Sequence, residues 1–257
     1  MFQLRGTVAR GTTLDPASCG DPTTFFGHAL AQALERRGIQ VRGGFVRRTA
    51  DMPAPGASAP TTTPPSALAT HTTPLADVLW RCNTFSQNLF AECLMKSLAA
   101  YEPDGRRSGT PGSGDGARGG TPGSWAGGEA VVRATLGNLG VDLSGAELRD
   151  GSGLSHADRA TAAQLTRLLI VMRRHRCADE FVGSLAQPGE EGSMNHRYDD
   201  PALRGRLRGK TGTLQGVHAL AGYLTRPDGT VLAFALLING PPSTDLPKQV
   251  CKALVGP

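Results

Sequence analysis

The order of patterns along this 257-residue chain predicts an α/β fold: an antiparallel sheet flanked by helices. Two observations carry that expectation. Helical periodicity dominates from residue 74 to residue 175, and three strand-like segments then follow as a compact run over 209–238. The last two strands are separated only by "RPDG" (226–229), a turn sequence too short for a crossover, so they must pair antiparallel. With 34 Gly and 18 Pro, about a fifth of the chain, long loops are expected between elements.

The elements follow in chain order. Residues 1–46 read as a small structured unit. "LRGTV" predicts a strand, and "TTFFGHALAQALERRG" a helix capped by Thr23 or Thr24, with a Phe26, Leu30, Leu34 stripe and Gly38 as its stop. "IQVRGGFV" predicts a further strand. Residues 51–66 hold five prolines in sixteen positions, a linker or exposed loop. "PLADVLWRC" then starts a helix on Pro74, a break follows at "NTFSQN", and "LFAECLMKSLAAY" resumes with Phe90, Leu94, Leu98 and Tyr101 on one face.

Residues 103–128 carry ten Gly and three Pro and predict a loop. "EAVVRATLGNLG" returns to helix, "VDLSGAELRDGSGLS" reads as strand and turn, and "TAAQLTRLLIVMRRH" is the clearest amphipathic helix, with Leu165, Leu168, Leu169 and Met172 inward. "GKTGTL", "HALAGYLT" and "TVLAFALLI" are the three strands, and "PKQVCKALV" a closing helix.

Composition excludes several classes of function. The net charge of +5 comes without any Lys/Arg block or aromatic–basic interleaving, so no nucleic-acid partner is expected. No apolar run is long enough to span a membrane, and "MFQLRGTVARG" does not read as a signal peptide. The five cysteines, Cys19, Cys82, Cys93, Cys177 and Cys251, show no zinc-ligand spacing and read as buried thiols with room for one incidental disulfide. Neither metal nor cofactor is expected.

Arginine is the default cation. Only Lys96, Lys210, Lys248 and Lys252 are lysines, so the lysine in "RGKTGTLQGV" (208–217) stands out. Two chemistries use such a stretch. A phosphate loop needs a glycine five residues before Gly209-Lys210-Thr211, but that position is Arg204, and no helix follows to present its N-terminal N–H groups. The alternative is a Lys-Thr-Gly strand lining the cleft of a penicillin-recognising serine enzyme. There the strand edge pairs with an extended peptide. The Lys210 charge and the Thr211 and Thr213 hydroxyls can hold a carboxylate, and Gly212 admits the substrate backbone closely.

Such a strand works with a Ser-x-Asn loop, and "FSQN" supplies Ser86 and Asn88 in the break between two helices. A serine hydroxyl there can relay a proton, and an asparagine amide can bind a substrate amide. The plain alternative is a helix N-cap by Ser86 or Asn88.

"PLADVLWRCNTFSQNLFAECLMKSL", "RDGSGLSHADRATAAQL" and "GKTGTLQGVHALAGYL" together resemble three blocks of the D-alanyl-D-alanine carboxypeptidase/endopeptidase family, the class C low-molecular-mass penicillin-binding proteins. "TVARG" and "DPTTFFGHALAQALERRGIQVRGG" resemble the segment that precedes the Ser-x-Asn block. The resemblance implies a β-lactamase/transpeptidase-like sandwich and a serine acyl-enzyme mechanism without metal or cofactor. It also implies peptidoglycan stem peptides and β-lactams as ligands, and a periplasmic or other extracytoplasmic location. By motif, Ser86, Asn88 and Lys210 are the catalytic candidates, and Thr211, Gly212 and Thr213 the substrate-binding ones. "DGSGLS" (150–155) matches a family block too, with a tight turn shaping the cleft as its plain reading.

The resemblance divides the chain into 1–50, a remnant of an inserted domain; 51–73, a Pro-rich linker; and 74–257, the transpeptidase-like domain with its loop at 103–128. One block of the family is missing. Its nucleophile lies in Ser-x-x-Lys, which puts lysine one helical turn from serine, and no serine here has a lysine three residues on. "CLMK" (93–96) is the nearest imitation, read as core packing for Cys93 and a solvent-facing charge for Lys96. The chain therefore reads as the C-terminal part of a longer protein that begins inside the inserted domain. A non-catalytic peptide-binding relative is the alternative.

Overall fold

The computed structural model describes residues 20–42, 70–100, 123–240 and 245–256. The chain divides into two units, Met1–Thr70 and His71–Pro257. In the first, α1 spans Pro22–Arg36. Its cap is Asp21, not Thr23 or Thr24: the Asp21 carboxylate accepts from the Thr24 N–H at 3.1 Å, and Pro22 takes the first turn, where no N–H is needed. Of the expected stripe, Phe26 and Leu30 are exposed and Leu34 is half-buried. Residues 39–42 form no strand; "LRGTV", the rest of "IQVRGGFV" and the 51–66 linker lie outside the described residues.

The second unit runs α2 (Leu75–Thr84), α3 (Asn88–Leu98), α4 (Trp125–Asn138), α5 (Ala162–Arg173), α6 (Ala178–Ser184), β1 (Leu207–Leu214), β2 (Val217–Thr225), β3 (Val231–Asn239) and α7 (Leu246–Val255). The strands form one antiparallel sheet in the order β1-β2-β3. Alternation gives the sheet two different faces. Leu207, Leu220, Leu224 and Phe234 join Met194, Tyr198 and Leu203 with Cys251 and Val255 of α7. On the other face Tyr223 packs with Leu169 of α5 and with Leu185, which follows α6, and the Tyr223 hydroxyl donates to the Leu169 carbonyl at 2.6 Å. The α/β arrangement read from the sequence is the one observed, with strands set within two residues of expectation.

Several local expectations change. Residues 103–122 of the anticipated loop lie outside the described residues, but its end is helical: α4 starts at Trp125, capped by the Ser124 hydroxyl, which accepts from Gly127 N–H at 3.0 Å. Gly127 and Gly128 read as helix breakers, yet they serve packing. A Cβ on Gly128 would sit 2.1 Å from the Met95 carbonyl oxygen, so glycine lets α4 lie directly on α3. The buried face of α3 is accordingly Met95 with Ala99 just beyond; Leu98 is exposed, Phe90 and Leu94 are half-buried, and Tyr101 lies outside the described residues.

Cys93 is exposed rather than core, and Lys96 does not simply face solvent: its Nζ lies 3.7 Å from the Trp125 ring centroid. The 141–155 stretch contains no strand; Glu147 makes an isolated bridge with Arg159. Cys82 and Cys251 are buried, Cys177 is exposed, and all four described cysteines are free. Among the described residues no helix is long and apolar enough to cross a membrane.

Candidate active site

The site grows from the end of α2. The break that the sequence places at "NTFSQN" is narrower in the structure, because Asn83 and Thr84 still belong to the helix. Both are tied down across the fold. The Thr84 hydroxyl donates to the Ser184 carbonyl at 2.7 Å, and the Asn83 amide to the Ser184 hydroxyl at 2.8 Å. The Ser193 N–H in turn donates to the Thr84 carbonyl at 2.8 Å. The close approach needs glycine at 192, where φ is +124° and a Cβ would meet Thr84 at 2.6 Å. Two residues beyond this anchor comes Ser86, at φ +57°, the one non-glycine residue in the left-handed region among those described.

Ser86 is not a helix cap. The N-cap of α3 is Gln87, which makes no side-chain capping bond, and Asn88 is the exposed first residue of the helix. The Ser86 side chain points elsewhere: the Lys210 ammonium donates to its Oγ at 2.7 Å and to the Thr211 carbonyl at 2.6 Å. Lys210 reaches there because alternation along β1 sets it opposite Ala221, on the sheet face that carries Tyr223, Leu169 and Leu185. Burial pulls the Lys210 pKa below the ordinary lysine value, with the Cys82 thiol opposing. Burial likewise pushes the Cys82 thiol up, and Lys210 counters it.

The strand beside them is open. Gly209 exchanges backbone bonds with Ala186 on its outer side, the Gly209 N–H donating at 3.0 Å and the Ala186 N–H at 3.1 Å. Alternation then turns the N–H and C=O of Thr211 and Thr213 to the same outer edge, where no further strand pairs among the described residues. An extended peptide can add there as another strand. Chemically, the arrangement offers a desolvated cation held on a serine hydroxyl, a free strand edge and two threonine hydroxyls.

The 150–155 block forms a tight turn: the Asp150 carboxylate accepts from the N–H groups of Gly153 and Ser155. Glu92 of α3 holds it, accepting from Ser152 N–H at 3.0 Å and from the Trp125 indole at 2.6 Å. Burial pushes the Glu92 carboxyl up, but the bonds from Ser152, Trp125 and Gly151 outweigh it and keep the pKa below the usual range. This turn, with Thr161 and the β-hairpin residues Leu214 and Val217, lines a cleft of about 1050 Å³. Ser86 and Lys210 do not line that space, so this cleft and the polar pair are separate features. Cys82, Thr84 and Glu92 carry no motif signal; their roles follow from partners far away in the chain.

The chain matches the D-Ala-D-Ala carboxypeptidase 3 (S13) family over residues 1–256. It belongs to that family. Among curated S13-like relatives, a D-alanyl-D-alanine carboxypeptidase from Actinomadura sp. is 33% identical over 226 residues, covering 86% of this chain and 37% of the relative. Carboxypeptidase DacB from Mycolicibacterium smegmatis is 34% identical over 172 residues, covering 65% of this chain and 34% of the relative. The chain thus spans a little over a third of the length of these relatives. Among solved structures, penicillin binding protein 4 (dacB) from Haemophilus influenzae, complexed with a β-lactam, superposes with a TM-score of 0.64 at 24% identity. That match covers 90% of this chain and 50% of the other, and it shows that the two share a fold. The likeness extends to the sandwich class expected from the three sequence blocks.

Proposed function

We propose that this S13-family chain forms the peptide-binding and proton-relay side of a serine-type D-alanyl-D-alanine carboxypeptidase cleft acting on peptidoglycan stem peptides. One observation carries the proposal: the Lys210 ammonium donates to Ser86 Oγ at 2.7 Å, joining two motifs 124 residues apart. Ser86 accepts from lysine and keeps its own proton to donate. It can pass that proton to the nitrogen of a departing D-alanine, with Lys210 resupplying it. The open edge of β1 pairs with the stem peptide, Asn88 offers an amide, and Thr211 and Thr213 offer hydroxyls to the terminal carboxylate. Gly212 keeps the approach clear. Such a substrate places the protein outside the cytoplasm, and a β-lactam, which mimics the same peptide, occupies the same edge.

A second reading is a cleft that binds stem peptides or penicillins without cleaving them. Two measurements on the full chain test the proposal. Titration with diacetyl-L-lysyl-D-alanyl-D-alanine should shift the NMR signals of Ser86 and the 210–213 strand, and Ser86→Ala and Lys210→Ala should weaken binding. Unmoved signals at millimolar peptide refute both readings. Labelled penicillin should leave no stable covalent adduct; an adduct would show that a nucleophile outside the Ser-x-x-Lys pattern is at work.

A further inference from the structure

The polar pair and the cleft are separate spaces, but one helix belongs to both. α3 begins at Asn88, two residues beyond Ser86, and carries Glu92 one turn further on, on the same face. The Glu92 carboxylate binds N–H groups alone. Its Oε1 accepts from Ser152 N–H at 3.0 Å, and its Oε2 accepts from Gly151 N–H at 3.2 Å and from the Trp125 indole at 2.6 Å. Lys96 stands at the spacing of a helical ion pair with Glu92, yet its ammonium lies over the Trp125 ring, 3.7 Å from the centroid. Among the described residues no cation pairs with the carboxylate.

What Glu92 holds is a wall. Gly151 lies so close to α3 that a Cβ would stand 2.4 Å from the Ala91 carbonyl oxygen, a backbone atom, and 2.8 Å from Met95 Cβ. Inside the turn, Asp150 takes the N–H groups of Gly153 and Ser155, and the Glu92 bonds carry the turn as a whole to α3. Asp150, Gly151, Ser152 and Ser155 line the cleft with Leu214 at the end of β1 and Val217 at the start of β2. β1 also carries Lys210, which donates to Ser86 Oγ. The contacts therefore close a ring: Ser86 to β1, β1 across the cleft to the turn, the turn through Glu92 to α3, and α3 back to Ser86. Among the described residues no hydrogen bond crosses the cleft from 150–155 to 214–217, so the far side of that opening is set by Glu92.

We infer that Glu92 is a positioning residue: by bonding the 150–155 turn to α3 it fixes how far the cleft wall stands from β1, and so how tightly a peptide on the β1 edge is held. The inference rests on the cleft proposed above and adds a residue that acts through the turn rather than on the peptide. A peptide extended along β1 runs toward Leu214, where the cleft opens, so a wall displaced there costs affinity although Ser86, Lys210 and the strand are unchanged. Glutamine at 92 cannot take over. Whichever way its amide turns, the NH2 group meets an N–H donor, Ser152 on one side or Gly151 and Trp125 on the other.

The test titrates diacetyl-L-lysyl-D-alanyl-D-alanine into the full chain, followed by NMR and by calorimetry. In the unmutated chain the amide signals of Gly151 and Ser152 and the Trp125 indole signal should move with those of Ser86, on one binding curve. Glu92→Gln should weaken the peptide about tenfold. Trp125→Phe keeps an aromatic ring under Lys96 and both bonds from Glu92 to the turn, and should leave the affinity unchanged. A purely structural role would lower Tm in either variant without separating their affinities. Unchanged affinity in Glu92→Gln overturns the inference, as does a Trp125→Phe chain weakened as much as Glu92→Gln. Ser86 signals that move while those of Gly151, Ser152 and Trp125 stay still overturn it too, a result that needs no variant to fold and leaves the cleft reading standing. A peptide that moves no signal at all removes both.

Discussion

Replacing Thr84 with valine should loosen the base of the Ser86 loop without changing the shape of any side chain. Thr84 is 5% exposed, and its hydroxyl donates at 2.7 Å to the carbonyl of Ser184, the last residue of α6. A helix leaves its final carbonyls without intrahelical donors, and at this buried end Thr84 supplies one. Valine keeps the β-branch and the methyl that packs on Gly192, and its helix propensity is close to that of threonine. What goes is one donor to a buried acceptor, a loss of about 1–3 kcal/mol. For a chain of this size each kcal/mol moves Tm by about 2–4 °C, so Tm should fall by roughly 2–12 °C. Thr84→Ser keeps the hydroxyl and loses one methyl, about 0.8 kcal/mol of burial, and should fall by less. Thermal unfolding of the three proteins, followed by circular dichroism, decides the matter. If Thr84→Val melts with the unmutated chain, or Thr84→Ser melts below it, then the hydroxyl is not what secures the end of α6.

Gly128→Ala should destabilise although alanine is the better helix former by about 1 kcal/mol, because its Cβ would press on the Met95 carbonyl, a backbone atom that cannot turn aside; a net loss of about 1–3 kcal/mol in urea unfolding is expected, and a gain would mean α4 can slide on α3. Lys210 has a folded pKa below its unfolded value of 10.5, so between the two the unfolded chain binds more protons and stability rises with pH. Lys210→Met should remove that rise; an unchanged pH–stability curve would show that the ammonium is not desolvated. Cys251 has the opposite sign. Burial pushes its thiol up to about 12 from 9.0, so the stability it contributes is full below 9.0 and is lost as pH rises through about 12. In the native chain a thiol reagent should therefore label Cys93 and Cys177 and spare Cys251, read by mass spectrometry of peptides; native labelling of Cys251 would contradict its burial.

Local pattern made much of this protein legible. Alternation over 207–239 and the "RPDG" turn specify the three antiparallel strands, because each depends on neighbours a few residues away. The Thr161 capping box and the Leu165, Leu168, Leu169, Met172 stripe specify α5 in the same manner. Motif spacing also selected Ser86 and Lys210, and the scarcity of lysine marked Lys210 out. Where the sequence misled, a long-range contact outweighed a local preference. Gly127 and Gly128 looked like helix breakers until α3 lay against them, and Cys93 looked like core until Met95 took the inward position.

By itself, then, the sequence determined the order and kind of the elements and marked Ser86 and Lys210 as candidates, since propensity, periodicity and spacing are properties of short segments. Only the tertiary structure decided that Ser86 leaves its helix cap for Lys210, that Thr84 closes the end of α6, and that Glu92 holds the 150–155 turn on α3. The first two contacts join residues at least 100 positions apart. All three depend on how the sheet, the helices and the turns between them pack, which no segment encodes alone.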